Sequence, residues 1–238
     1  LQLESEKYKQ ARFQLYSLEQ QLLSKLHRRD KIKQLPGLYA IIDTESLKGR
    51  RPLDVARQII HGGAKTIQLR NKLTQKRELL PMAQQLQRLC SENNVLFIVH
   101  DYLDLTLAAD ADGWHLESEA LPVKIARQLL PGDKILGVSV TTVEQAISAE
   151  AEGADYLAVG SIYPPLQEAV EIVGLERLNQ IRRAVALPLV ATGGITQDNI
   201  AEVIAAGADA VAVICTTLPA ADVEPAVRRI ADQFCAQK

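Results

Sequence analysis

Polar and charged side chains stand at the ends of several short apolar runs in this sequence. Gln68, Arg70 and Lys72 close one run, and two cations this close together suit an anionic group, because they can neutralise the charge of a departing anion. His100 and Asp101 close the next run, and an imidazole beside a carboxylate can exchange a proton near neutral pH. The sequence therefore predicts an anion site next to groups capable of acid–base chemistry.

The later runs end in further polar groups. A carboxylate that apolar neighbours desolvate gains basicity and can take a proton from carbon. The candidate bases are therefore Glu117, Glu168 and His100 backed by Asp101. Candidate donors to a developing oxyanion, and other residues that could line the same pocket, are Lys72, Ser118, Ser139, Tyr163, Leu166, Gly193, Gly194 and Cys215.

The elements that carry these residues alternate strictly from Leu38 onward. Short β-rich runs are followed by helix-like segments, and the runs are LYAIID, KTIQLR, VLFIVH, GWHL, ILGVSV, DYLAVGSI, PLVATG and AVAVIC. Three helical segments end in Gly-Ala, where glycine can adopt the left-handed C-cap conformation. Eight strand–helix units in about 200 residues are typical of a parallel (β/α)8 TIM barrel. A doubly wound nucleotide-binding sheet is disfavoured because no GxGxxG motif opens a helix.

In such a barrel the C-terminal ends of the strands meet at one face, so the candidate residues should share a site. Side-chain parity sorts the fourth run, because successive residues of a strand point to opposite faces. If His115 points into the barrel, Glu117 does too, and Trp114 then packs against the helices rather than stacking on an aromatic substrate. His100 and Asp101 are adjacent, so they reach the same face only if the strand ends between them.

Residues 1–34 read as a helical extension that precedes a barrel domain at 35–238, with LPG at 35–37 marking the break. Apolar residues recur there at roughly helical spacing among charges, which predicts one amphipathic helix or two. The extension either packs on the barrel or serves as a dimerisation surface or partner handle. The residues that carry this pattern are Phe13, Tyr16, Leu22, Leu23 and Leu26.

The composition argues against several classes of function. A net charge of −2 gives no general surface for nucleic acid or for a membrane. The three cysteines are widely spaced, with no CxxC and no Cys/His metal spacing, which indicates reduced thiols and a cytoplasmic location. No apolar run reaches membrane-spanning length, and the N-terminus has no apolar signal-peptide core. Because the sequence begins with Leu1 and not Met, we expect that it has been processed or trimmed. The expected partner is a small-molecule substrate, with a homodimer as a further possibility.

Several blocks of the sequence resemble the thiamin phosphate synthase family. They are GLYAIID, GGAKTIQLRNK, FIVHDYLDLTLAADADGWHL, LPVKIARQLLP, GADYLAVGSIYP, VGLERLNQIRRAVALPLVATGGIT and AEVIAAGADAVAVI, and they cover about residues 36–218. The resemblance implies a (β/α)8 barrel that joins a hydroxymethylpyrimidine pyrophosphate to a thiazole phosphate, with Mg²⁺ and with loss of pyrophosphate.

The resemblance also implies roles for individual positions. Gln68, Arg70 and Lys72 match the family's Gln-x-Arg-x-Lys, which grips the pyrimidine pyrophosphate. Asp101 matches a Mg²⁺-binding Asp, and Ser139 matches the serine after strand five. The pair Gly193 and Gly194 matches the glycines whose backbone N–H groups cradle the thiazole phosphate.

The rest of this face departs from the family pattern. His100 stands in place of Asn, and the family's Gly-Gln-x-Asp is Glu117-Ser118-Glu119-Ala120, so the second Mg²⁺ carboxylate has become a methyl group. The family's Thr-x-Thr/Ser-Lys is Pro165-Leu166-Gln167-Glu168, and its Val-Ser is Ile214-Cys215. Two or three such losses could cost roughly 4 kcal/mol or more, on the order of a thousandfold in rate.

Because the departures cluster on one face, they favour a pocket rebuilt, by redesign or by divergence, for a less anionic ligand. The first hypothesis is a lyase that needs no cofactor and abstracts a proton from a small neutral substrate, as in a Kemp-type elimination. The alternatives are a divergent Mg²⁺-dependent synthase, a non-catalytic binding protein on the same scaffold, and Schiff-base chemistry at Lys72. The related thiazole tautomerase branch is disfavoured, because its proton-transferring His is Thr141 here.

Overall fold

The computed structural model describes residues 2–47, 49–71, 75–117, 121–164, 171–215 and 223–235, with side chains from residue 6 to residue 234 within these ranges. Eight parallel strands close into a barrel in chain order, with β1 paired to both β2 and β8. This confirms the predicted (β/α)8 barrel. The strands are β1 (Gly37–Asp43), β2 (Thr66–Arg70), β3 (Leu96–His100), β4 (Gly113–Leu116), β5 (Ile135–Val140), β6 (Tyr156–Val159), β7 (Leu189–Ala191) and β8 (Ala210–Ile214).

One helix precedes the barrel and the others connect or follow its strands. They are α1 (Gln2–Ile32), α2 (Pro52–His61), α3 (Lys76–Glu92), α4 (Leu103–Ala108), α5 (Val123–Leu129), α6 (Val143–Glu152), α7 (Gly174–Ala184), α8 (Ile200–Ala205) and α9 (Val223–Cys235). The three Gly-Ala signals follow α2, α6 and α8. Their glycines, Gly63, Gly153 and Gly207, have φ values of 99°, 102° and 108°, which confirms the predicted left-handed caps.

Strand parity divides the apolar residues into two cores. Trp114 and Phe97 are buried in the larger one, between the strands and the helices, whereas Tyr39, Ile98 and Tyr156 fill the barrel interior. Trp114 therefore packs against helices, as its parity predicted. Inward-pointing residues near the C-terminal end of each strand therefore lie at the C-terminal face of the barrel, where the candidate site is located.

Helix α1 is a single helix, and only its C-terminal end touches the barrel. Arg28 Nε lies 3.1 Å from Asp155 Oδ1 and Lys31 Nζ lies 3.2 Å from Asp112 Oδ1. Just beyond the ion pairs, Leu35 is fully buried with the interior core at the N-terminal end of the barrel. The earlier apolar residues are exposed, so the prediction of an amphipathic helix packed along the barrel is wrong for this part of α1. The division of the chain at residue 34 remains a prediction.

Candidate functional site

The predicted site residues fall into three groups in the structure. Seven lie at or just beyond the C-terminal ends of strands, and they are Gln68, Arg70, His100, Asp101, Glu117, Ser139 and Tyr163. The glycine pair follows β7, and Cys215 follows β8. Four predicted residues lie outside the described residues, and they are Lys72, Ser118, Leu166 and Glu168.

Arg70 is held in place by a carboxylate on the neighbouring strand. Its Nε and Nη2 both donate to Asp43 Oδ2, at 3.2 Å and 2.7 Å, and both side chains are largely buried. A two-point contact of this kind orients the planar guanidinium, while its remaining N–H groups have no partner among the described residues and can bind an anion. Asp43 was missed by sequence reasoning. The available signal was that it ends the first apolar run with inward parity, like Arg70 on the second.

His100, Asp101 and Glu117 form a cluster at the ends of β3 and β4. His100 Nε2 lies 2.9 Å from Glu117 Oε1, and His100 Nδ1 lies 3.4 Å from Asp101 Oδ2. Asp101 has a left-handed φ of 59°, its N–H bonds to the His115 carbonyl, and its Oδ1 accepts from the Glu117 N–H. The strand therefore ends between His100 and Asp101, which brings both side chains to one face.

The electrostatics of this cluster make Glu117 a poor base. The hydrogen bond from His100 is the main cause that lowers the Glu117 pKa from 4.5 to about 2, against the opposing effect of burial. A carboxylate with so low a pKa has little driving force to take a proton from carbon near neutral pH. The expectation that desolvation makes Glu117 more basic is therefore wrong, because the His100 contact outweighs burial.

Below the cluster, a chain of buried polar groups crosses the barrel interior. His115 Nδ1 lies 3.0 Å from the Tyr156 hydroxyl, and His115 Nε2 lies 3.1 Å from Ser139 Oγ. The Tyr39 hydroxyl donates to Gln68 Oε1 at 2.6 Å and lies 2.9 Å from the Tyr156 hydroxyl. Gln68 and Ser139 are thus tied to interior side chains as well as to the open face. Sequence reasoning missed both tyrosines, although their inward parity was readable.

Burial lowers the His115 pKa from 6.5 to about 3, with the neighbouring His100 adding to the effect. We expect the free energy of unfolding to fall as the pH drops from about 6.5 toward 4.5. The unfolded chain protonates His115 in this window while the folded chain does not, so the slope approaches about 1.4 kcal/mol per pH unit. The Glu117 contribution, from a pKa lowered to about 2, is lost only below about pH 4.5.

Urea unfolding between about pH 7 and pH 5 measures this slope. The variant His115→Gln should flatten it, whereas His61→Gln, at an exposed position on α2, should leave it unchanged. Equal slopes in the parent chain and His115→Gln would contradict the assignment.

The glycine pair after β7 sits where the backbone and its neighbours both demand glycine. Gly193 and Gly194 have φ values of 87° and 62°, in the left-handed region. A Cβ on Gly193 would lie 1.8 Å from Ser161 Oγ, and one on Gly194 would lie 2.7 Å from Tyr163 Cβ. The Tyr163 N–H bonds to the Gly193 carbonyl, while its hydroxyl lies 3.4 Å from Glu202 Oε2. Tyr163 therefore braces this turn, and its hydroxyl already has an acceptor.

Cys215 does not line a pocket. Its side chain is fully buried in the core between strands and helices, and burial raises its pKa to about 12. The Cys215 carbonyl, in contrast, accepts from Arg50 Nη2 at 3.3 Å. The predicted ligand-contacting role of the thiol is therefore wrong, because the residue turns outward at the end of β8.

A divalent cation would find only part of a site among the described residues. No group of three or more His, Cys, Asp and Glu side chains in that part of the chain is placed to hold a metal ion. Asp101 and Glu117 do present two carboxylates within reach of the same imidazole. Since Mg²⁺ in phosphate-transfer sites often takes one or two carboxylates and completes its shell with phosphates and water, the donor set suits Mg²⁺ that arrives with a phosphorylated substrate.

With this geometry in view, comparison with known proteins decides the family. The model of the thiamine monophosphate synthase family matches residues 38–216. The chain belongs to that family. The match confirms the resemblance on sequence blocks at about 36–218.

Curated relatives and a solved structure agree with this family. The thiamine-phosphate synthase of Moorella thermoacetica is 47% identical over 195 residues, which cover 81% of this chain and 93% of the relative. That of Methanospirillum hungatei is 44% identical over 198 residues, covering 82% and 96%. The thiamine phosphate pyrophosphorylase structure from Pyrococcus furiosus superposes with a TM-score of 0.77 at 35% identity, covering 85% of this chain and 98% of that one.

These relatives support an enzyme of the transferase class and a thiamin-phosphate-synthase-type barrel. They lend no support to an elimination reaction or to a redesigned chain, because the curated relatives are named as synthases. Within the described ranges, no helix has both the length and the apolar composition needed to cross a bilayer. The cytoplasmic location remains a prediction.

Proposed function

We propose that the chain is a divergent thiamin phosphate synthase, which joins a hydroxymethylpyrimidine pyrophosphate to a thiazole phosphate. The observation that carries the proposal is that two groups suited to holding anions lie on one barrel face. One is the Arg70 guanidinium oriented by Asp43, and the other is the glycine turn at Gly193 and Gly194. A substrate pair with one pyrophosphate and one phosphate requires two such subsites.

The pyrophosphate side is built on β2, β3 and β4. Arg70 offers its free N–H groups to phosphate oxygens, and Asp101 with Glu117 would hold Mg²⁺ together with those oxygens. When bound there, Mg²⁺ would supply positive charge to offset that of the leaving pyrophosphate. His100, between the two carboxylates, keeps them oriented.

The thiazole phosphate side is built after β7. Left-handed glycines leave backbone N–H groups uncovered by side chains, and a phosphate can approach them closely. The contact from the Tyr163 N–H to the Gly193 carbonyl fixes this turn against the loop after β6.

The proposed reaction suits the electrostatics of the site. The bond between the pyrimidine methylene carbon and the pyrophosphate oxygen breaks, the pyrophosphate leaves with the electron pair, and the thiazole nitrogen bonds to the same carbon. No carbon acid is deprotonated, so no strong base is needed. An ionised Glu117 of pKa about 2 fits a metal ligand and not a base, which weighs against the elimination hypothesis.

The hydrogen bonds of Thr141 weigh against the tautomerase alternative. Thr141 stands where that branch has its His. Its hydroxyl and its N–H both donate to Gln145 Oε1, at 3.2 Å and 2.8 Å. It is part of the turn that starts α6, where Thr142 and Gln145 form a capping box.

The proposal is tested by incubating the chain with both phosphorylated precursors and Mg²⁺. We expect thiamin phosphate to form, formation to stop when a chelator removes the metal, and Asp101→Asn to slow it at least a hundredfold, since a metal carboxylate is lost. Glu171→Gln, at an exposed carboxylate with no metal role, is the matched control. Absence of product from the parent chain at any Mg²⁺ concentration would refute the proposal, and so would turnover of a Kemp-type substrate that Glu117→Gln abolishes.

A further inference from the structure

Helix α1 carries an exposed apolar stripe that the barrel does not cover. From Glu6 to Leu23, every side chain except the partly buried Ser17 is exposed. Tyr8, Leu15, Leu18 and Leu22 are exposed by 70%, 69%, 55% and 60%. Large apolar side chains in such numbers on one projecting element are typical of an interaction surface.

The stripe has the spacing of a coiled-coil seam. Tyr8, Ala11, Leu15, Leu18 and Leu22 follow one another at intervals of three, four, three and four residues. That alternation places them along one side of a helix, in the positions that pack between two helices. We call these five residues the heptad stripe.

The heptad stripe faces away from the barrel. Among the described residues of α1, Ser24 lies against Gly132, Arg28 and Lys31 form ion pairs with the barrel, and Ile32 packs on the interior core. The first three are spaced by four and three residues and so share one side of the helix. At 100° per residue that side lies roughly opposite Leu18 and Leu22. A helix of a partner can therefore approach the stripe without colliding with the barrel that follows this α1.

We propose that the heptad stripe binds the same stripe of a second copy of this chain, with the two α1 helices antiparallel. In this register Leu15 packs beside Leu18 of the second copy, Ala11 packs beside Leu22, and the two-fold axis passes between Leu15 and Leu18. The small Ala11 opposite the larger Leu22 allows the two helices to approach closely.

The flanking charges select the antiparallel arrangement. Arg12 and Glu19 border the stripe on the same side, seven residues apart, which is too far for an ion pair within one helix. In the antiparallel register each Arg12 comes beside Glu19 of the second copy, twice per dimer. A parallel register would instead place Lys25 against Lys25 of the second copy within the seam, and Lys7 beside Arg12 of the second copy.

The apolar surface is of the right order for a dimer. The large apolar side chains of the heptad stripe, Tyr8, Leu15, Leu18 and Leu22, are exposed by between 55% and 70%. Together they present several hundred Å², comparable with the roughly 800 Å² per partner of a standard interface. A second copy would also supply the packing that a helix without tertiary contacts lacks.

Sedimentation equilibrium of the full chain over a hundredfold concentration range tests the proposal. The expected mass is twice the 26.2 kDa of the chain. Leu18→Glu, next to the two-fold axis, should leave a monomer with a cooperatively folded barrel and an unchanged rate of product formation. Phe13→Ser, two residues from the stripe and more exposed than Leu18, should remain a dimer. A monomeric parent at every concentration, or a Leu18→Glu variant that still dimerises, would overturn the proposal.

A charge exchange tests the direction of the helices. Arg12→Glu and Glu19→Arg should each weaken the dimer about tenfold, because each creates two like-charge contacts per dimer. The double variant should recover the affinity of the parent. A dimer that the single variants weaken but the double variant does not restore would rule out the antiparallel register.

Discussion

The double variant Ala120→Asp, Glu168→Lys is expected to form thiamin phosphate about a thousandfold faster than the parent chain. Both positions depart from the family pattern, in which the resemblance implies a Mg²⁺-binding Asp and a pyrophosphate-binding Lys, and both lie outside the described residues. The lysine would turn a repulsion of the pyrophosphate into an attraction, and the aspartate would return the Mg²⁺-binding carboxylate that the family pattern has at position 120. At about 2 kcal/mol each in a shielded site, the two changes amount to about 4 kcal/mol.

The measurement is kcat/KM for the pyrimidine pyrophosphate at saturating thiazole phosphate and Mg²⁺. The matched control is Ala120→Asn, Glu168→Gln, which has similar side-chain sizes but neither new charge. It should gain no more than about tenfold, from removal of the repulsion alone. A double variant no faster than this control would show that the charges at these positions do not limit the reaction.

The second large effect is expected from Gly194→Ala, which should raise KM for the thiazole phosphate about a hundredfold. A residue with a Cβ at φ 62° is strained by about 1 kcal/mol, and the new Cβ would lie 2.7 Å from Tyr163 Cβ and 2.8 Å from the Pro164 carbonyl oxygen. The loop after β6 must therefore move, and the backbone N–H groups lose the positions that the phosphate needs.

Gly174→Ala separates strain from collision. Gly174 has a similar φ of 77°, yet a Cβ there would meet no atom of the described residues within 4 Å. This control should lose about 1 kcal/mol of stability and keep KM within about twofold. If Gly194→Ala raised KM for both substrates equally, or for neither, the glycine turn would not be the thiazole phosphate subsite.

Sequence periodicity was sufficient for the barrel and for much of the face that bears the site. Alternating runs predicted the eight strands, and parity placed Trp114 outward and His115 inward, as found. The same pattern brought His100 and Glu117 to one face. Such predictions succeed because side-chain direction along a strand repeats every two residues, a property of local backbone geometry.

The chemical character of the site did not follow from the same pattern. Glu117 looked like a base, but its contact with His100, seventeen residues away in sequence, lowers its pKa to about 2. Asp43 was not among the candidate residues, and its contact with Arg70 shows what orients the guanidinium. Both contacts depend on the register between neighbouring strands, which no single run specifies.

The amino-acid sequence by itself determined the barrel, the order of its elements, the family and the positions at which the catalytic face departs from that family. Only the tertiary structure decided which charges are paired, which histidine stays neutral and which side of α1 is left uncovered. The physical reason is one of range. Propensity, parity and capping act between residues a few positions apart, whereas hydrogen bonding and desolvation at the site arise between strands that barrel closure brings together.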